Sequence, residues 1–126
     1  MTLSDSLISI QNAELARRTT CVVRPASKLL GELLKILQKN SYLGEFELVD
    51  DGKAGFYKIQ LRGAITKCRA VNPRSPTKVA DIERLEKRFL PSAGEGLLII
   101  STPGGLLTHT EARASKTGGR IMAYIY

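Results

Sequence analysis

Ser101, Thr102, His109 and Glu111 come nearest, by type and spacing, to a chemical site, with a glycine-rich turn, Pro103-Gly104-Gly105, among them. Ser101, His109 and Glu111 invite comparison with a hydrolytic triad. The nucleophile of such a site needs a Gly-x-Ser-x-Gly elbow, whereas Ser101 stands in Ile100-Ser-Thr-Pro-Gly104. A phosphate loop fails on similar grounds, because the turn lacks the Gly-Lys-Ser/Thr ending that places a lysine on a nucleotide. Thr108 and Glu111 instead have capping-box spacing, which predicts a short helix with His109 exposed in its first turn and Gly118 as its stop. Pro103-Gly104-Gly105 reads as type II turn chemistry between two strands. A turn of this composition presents backbone amides and small hydroxyls at close range, which suits a polyanion.

The elements that must position this turn follow from the hydrophobic pattern. Thr2 to Asp5 resembles a capping box, and Leu3, Leu7 and Ile10 then recur at helical spacing, predicting a helix from residue 3 to about 17 closed by Arg17-Arg18. Cys21 to Arg24 is a short strand, and Pro25-Ala-Ser-Lys28 leads into a helix with Leu29, Leu30, Leu33, Leu34 and Leu37 on one side, ended by Asn40-Ser41. Two alternating strands carry Phe46 and Leu48, then Tyr57, Ile59 and Leu61, with the Asp50 to Gly55 turn between them. They should pair as a hairpin. A unit of two helices on one face of a small mixed sheet of three strands results, over residues 1–62.

Gly63 breaks the pattern and opens a smaller, mostly β lobe over residues 63–126. It comprises a strand from Ile65 to Val71, a basic loop from Asn72 to Pro76, a helix from Asp81 to Phe89 stopped by Pro91, an apolar strand from Leu97 to Ile100, and a last strand ending at Tyr126. The fold class is α+β. Spacing puts Tyr57 in the core and Tyr124 and Tyr126 on one face of the final strand, with Tyr126 partly exposed.

Charge is unevenly divided. The net charge is +7, yet residues 1–55 hold seven bases and seven acids, so all the excess lies beyond them. No acid occurs between Asp51 and Asp81, while Lys53, Lys58, Arg62, Lys67, Arg69, Arg74 and Lys78 follow one another at short intervals. A face kept merely soluble mixes both signs, so this run reads as a basic surface for nucleic acid. Cys21 and Cys68 are far apart, lack metal-ligand spacing, and read as free buried thiols without a zinc site. Neither a signal sequence nor a span of roughly 20 apolar residues is present. The expectation is a cytoplasmic protein without membrane contact, cofactor, metal or catalysis. A small basic DNA-binding or architectural module is the rival class, although no helix-turn-helix or basic-zipper pattern appears.

Taken together, the segments resemble ribosomal protein eight of the small subunit in its archaeal and eukaryotic form, over nearly the whole chain. Asp5-Ser-Leu-Ile-Ser-Ile-Gln-Asn-Ala13, Pro25-Ala-Ser-Lys-Leu29 and Glu86-Lys-Arg-Phe-Leu-Pro91 are similar to segments of that family. Most diagnostic is Ile100-Ser-Thr-Pro-Gly-Gly-Leu-Leu-Thr-His-Thr-Glu-Ala112, followed by Gly118-Gly119 and the ending Ala-Tyr-Ile-Tyr126. The resemblance implies a non-enzymatic structural constituent of the small ribosomal subunit. It would bind the central domain of small-subunit ribosomal RNA, help its assembly, touch neighbouring ribosomal proteins, and be a monomer when free.

The family's Ser-Thr-Ser turn meets an irregular minor-groove surface of an RNA stem. Ser101, Thr102 and Gly105 match that pattern, Thr108 falls on its later hydroxyl position, and Pro103 replaces the second serine. Short hydroxyls both donate and accept against 2′-hydroxyls and base edges, which lysine cannot do. Ser27 and Lys28 at a helix start would hold a phosphate through amides and charge. Lys67, Arg69, Arg74 and Lys78 would supply general attraction, and Asn12 would either touch RNA or cap the first helix.

Overall fold

The computed structural model describes residues 3–24, 26–72, 74–92 and 94–126. It is an α+β protein of two compact units, Met1–Cys68 and Arg69–Tyr126. Thr2, Pro25 and Pro73, to which the sequence assigns parts in a cap, a helix entry and a loop, lie outside the described residues.

The first unit runs α1 (Leu3–Leu15), β1 (Thr20–Val23), α2 (Lys28–Lys39), β2 (Leu43–Val49) and β3 (Phe56–Leu61). Alternation decides which face each strand buries. Cys21 and Val23 stand opposite Ile59 and Tyr57, all four buried, while Thr20, Val22, Lys58 and Gln60 are exposed. Leu7 and Ile10 of α1 and Leu30, Leu33, Leu34 and Leu37 of α2 are buried to 2% exposure or less. As expected, β2 and β3 form an antiparallel hairpin. The sheet is antiparallel throughout rather than mixed, because β3 lies between β1 and β2, in the order β1-β3-β2. Leu48 is 64% exposed although it shares a face with Tyr57, since β2 is an edge strand.

Local chemistry sets the helix limits. The Ser27 hydroxyl accepts from Leu30 N at 3.1 Å, capping α2, and Asn40 with left-handed Ser41 (φ 66°) ends it. The first helix stops two residues short of the arginines. Arg17 takes a left-handed φ of 57° and Arg18 N returns to Ala13 O at 3.0 Å. Both cysteines are buried, and neither is in a disulfide among the described residues. The Cys68 thiol donates to Leu7 O at 3.0 Å, and Cys68 N donates to Gln11 Oε1 at 3.0 Å. That side-chain acceptor stands where a strand partner would, and the strand expected over 65–71 is only β4 (Cys68–Ala70).

The second unit continues with β5 (Pro76–Thr77), a 3-10 turn (Val79–Asp81), α3 (Ile82–Phe89), β6 (Leu97–Thr102), β7 (Gly105–Thr108), α4 (His109–Ser115) and β8 (Gly119–Ile125). The sheet order is β4-β8-β6-β7, with β5 also on β8. Leu97 to Ile100 are buried on both sides of β6, which accounts for their unbroken apolar run. Leu98 packs with Leu85, Leu90 and Ile121, and Ile100 with Ile82 and Ala112. Tyr124 stacks on Phe89 at 5.1 Å and on Tyr126 at 6.3 Å. These rings pack on one another.

Candidate nucleic-acid interface

Ser101 and Thr102 are not in a turn: they end β6, and only Pro103 and Gly104 lie outside the ladder that pairs Ser101 with Leu106 and Thr102 with Gly105. The Thr102 hydroxyl donates to Gly105 O at 2.7 Å and leaves its oxygen lone pairs directed elsewhere. Gly105 has φ 119°, which a side chain would strain, whereas Gly104 is not at positive φ. The tip is therefore not type II, since that geometry needs the positive φ one residue earlier. Ser101 and Thr102 are half-buried and the tip residues are exposed.

Register then brings the basic loop to the hairpin. Ser101 of β6 stands opposite Arg120 of β8, and Arg120 opposite Pro76 of β5. Arg120 Nη1 donates to Arg74 O at 2.9 Å, tying the loop to the sheet end. The Arg74, Lys78 and Arg120 side chains are exposed there, with Lys78 N held by Asp81 Oδ2 at 3.0 Å. Glycines make this approach feasible. A Cβ on Gly118 would lie 2.9 Å from Thr77 O, and one on Gly119 would collide with the Ser101 carbonyl.

A model of the ribosomal protein S8 family matches residues 1–126, the whole chain. The chain belongs to the ribosomal protein S8 family. Members of the S8 family are structural, rRNA-binding proteins of the small ribosomal subunit, acting in translation, and not enzymes. The hairpin end of the second unit thus carries small hydroxyls, glycines and exposed bases in a chain of an RNA-binding family.

Two residues beside the S8 hairpin depart from expectation. Thr108 caps α4 as its spacing predicts: its hydroxyl accepts from Glu111 N at 3.3 Å, and Thr108 N donates to Glu111 Oε1 at 3.2 Å. It is only 2% exposed, so it positions the strand-to-helix junction and has almost no surface to offer RNA. His109 is 4% exposed rather than on the surface. Its Nδ1 accepts from Leu98 N at 3.1 Å, which places its proton on Nε2, 3.9 Å from Glu86 Oε2. Glu86 also pairs with Arg113. Ser101, His109 and Glu111 thus answer to different partners. The helix stop is Lys116 in the left-handed region (φ 54°) rather than Gly118, which serves the contact with β5.

Burial pushes the His109 imidazole below its ordinary value near 6.5. The neutral ring is the folded form, so its contribution is complete above about 6.5 and is lost as pH falls through the depressed folded value. The thermal midpoint is expected to drop between pH 7 and pH 5. In His109→Asn, whose Oδ1 stands in for Nδ1, the drop should be smaller; an identical pH profile would remove His109 as its source.

The remaining expected residues are dispersed. Arg69 is exposed on β4, at the sheet edge. In the first unit, Asn12 is exposed on α1, Lys28 is exposed at the start of α2, Ser27 spends its hydroxyl on the cap, and Lys67 is half-buried. Sequence reasoning missed Arg120. Its signal was a lone base in an apolar terminal strand, which acquires meaning only from the register. Among the described residues no cluster of His, Cys, Asp or Glu forms a metal centre, and no helix is long and apolar enough to cross a membrane.

Proposed function

We propose that this S8-family chain is a primary binder of the central domain of small-subunit rRNA and assists the folding of its helices. The carrying observation is the register that sets Ser101 and Thr102 beside Arg120 and the Arg74–Lys78 loop. A-form RNA displays 2′-hydroxyls and base edges in a shallow minor groove. Ser101 and Thr102 would enter it, with Gly105 allowing close approach, while Arg74, Lys78 and Arg120 neutralise the flanking phosphates. Arg69 adds to this charge. Asn12, Ser27, Lys28 and Lys67 belong to a second, weaker footprint on the first unit. Pro103 has neither hydroxyl nor amide hydrogen, so the contact a serine would make at the tip is absent. The protein works in cytoplasmic ribosomes, beside other small-subunit proteins, and is a monomer before assembly.

The test is a titration of an RNA stem with an internal irregularity against duplex DNA over a range of salt. Preference for the stem is expected; equal affinity would favour the architectural DNA module. Arg74→Gln with Lys78→Gln should weaken cognate and noncognate RNA alike and flatten the salt slope by about one to two, one phosphate contact each. An unchanged slope would take the loop out of the interface.

A further inference from the structure

We infer that the first unit holds a separate phosphodiester site where the end of α1 meets the segment leaving β3. A cavity of about 460 Å³ lies there, lined by Glu14, Arg17, Arg18 and Arg62, with Thr19 and Gly63 between them. A backbone bond builds the cluster: Leu61 N donates to Thr19 O at 2.9 Å, bringing together the segments just outside β1 and β3 that carry Arg18 and Arg62. Arg17 is fixed at the rim in a left-handed conformation that L side chains rarely adopt (φ 57°). Arg62 Nη1 donates to a carbonyl, Ser41 O at 3.4 Å.

Among the described residues, none of the three arginines forms a salt bridge. Glu14 is the nearest acid in sequence, but α1 ends at Leu15 and the left-handed Arg17 turns the chain away, and no ion pair forms between Glu14 and these arginines among the described residues. The Glu14 side chain is instead 8% exposed, and its Oε1 is buried without a hydrogen-bond partner. Burial also raises its pKa, against the opposing pull of the Gly63 amide. The site therefore combines three planar cations that form no ion pair among the described residues with one largely buried carboxyl at its wall. Planar guanidinium forks match the paired oxygens of a phosphodiester. The occupant is the RNA backbone, contacted away from the hairpin, and the inference rests on the RNA-binding reading above.

The experiment uses the full chain with Arg17, Arg18 and Arg62 all changed to Gln, titrated with the irregular stem from low to high salt. The salt slope is expected to fall by about two to three, with cognate and noncognate stems losing affinity equally. A parent-like slope, with Thr102→Val still weakening the stem, would overturn this site and leave the proposed function standing. A parent protein with no salt-dependent RNA binding would overturn both. If the triple variant does not fold, guanidinium NMR signals of the parent decide: shifts at Arg17, Arg18 and Arg62 on adding the stem support the site. Signals that move only with a polyglutamate peptide overturn it.

Discussion

Gly119→Ala is expected to lower stability by about 1–3 kcal/mol, the usual cost of forcing an extra carbon into a packed site, and to weaken stem binding more than tenfold. The added Cβ would collide with the carbonyl of Ser101. That atom is backbone and cannot swing aside, so β8 must move away from β6. The displacement falls on the pairing of Ser101 with Arg120, and through Arg120 on the loop at Arg74. Denaturant unfolding and stem titration measure the two effects. A parent-like midpoint with parent-like affinity would show that the β6–β8 approach is looser than described.

Thr102→Val should weaken the cognate stem by about 1–3 kcal/mol, the cost of leaving a desolvated partner without its hydrogen bond, or roughly five- to more than a hundredfold in affinity. Valine keeps the shape of threonine and removes both the donor to Gly105 O and the free acceptor lone pairs. Thr102→Ser separates the two roles of the residue, because serine retains the hydroxyl without the methyl. Binding should recover in Thr102→Ser. Parent affinity in the valine variant would exclude this hydroxyl from the interface.

The elements were more legible than their arrangement. Five leucines on one side of a segment preceded by Ser27 can hardly be anything but a capped amphipathic helix, and α2 is that. The Thr108–Glu111 cap was equally readable, since both partners lie within one turn. Strand order was not readable, because periodicity tells which face of a strand is apolar and nothing about its neighbours. Hence periodicity predicts a mixed sheet where the structure has an antiparallel one. Burial of His109 was hidden for a related reason: its partner, Leu98 N, is a backbone group eleven residues away across a sheet. The candidate interface was half legible. Ser101, Thr102 and Gly105 announce themselves as a cluster in the chain, whereas Arg120 joins them only through pairing.

The order β1-β3-β2 also fixes when the first unit can form as the chain is made. Among the described residues, the two strands synthesised first, β1 and β2, each pair with β3 and not with each other. Until residues 56–61 have left the exit tunnel, α2 has no completed sheet on which to lay its leucines. Non-local pairing of this kind delays folding until the distant partner arrives. Nascent chains stopped before Phe56 should therefore remain open to proteolysis, and chains extended past Leu61 should close as one unit.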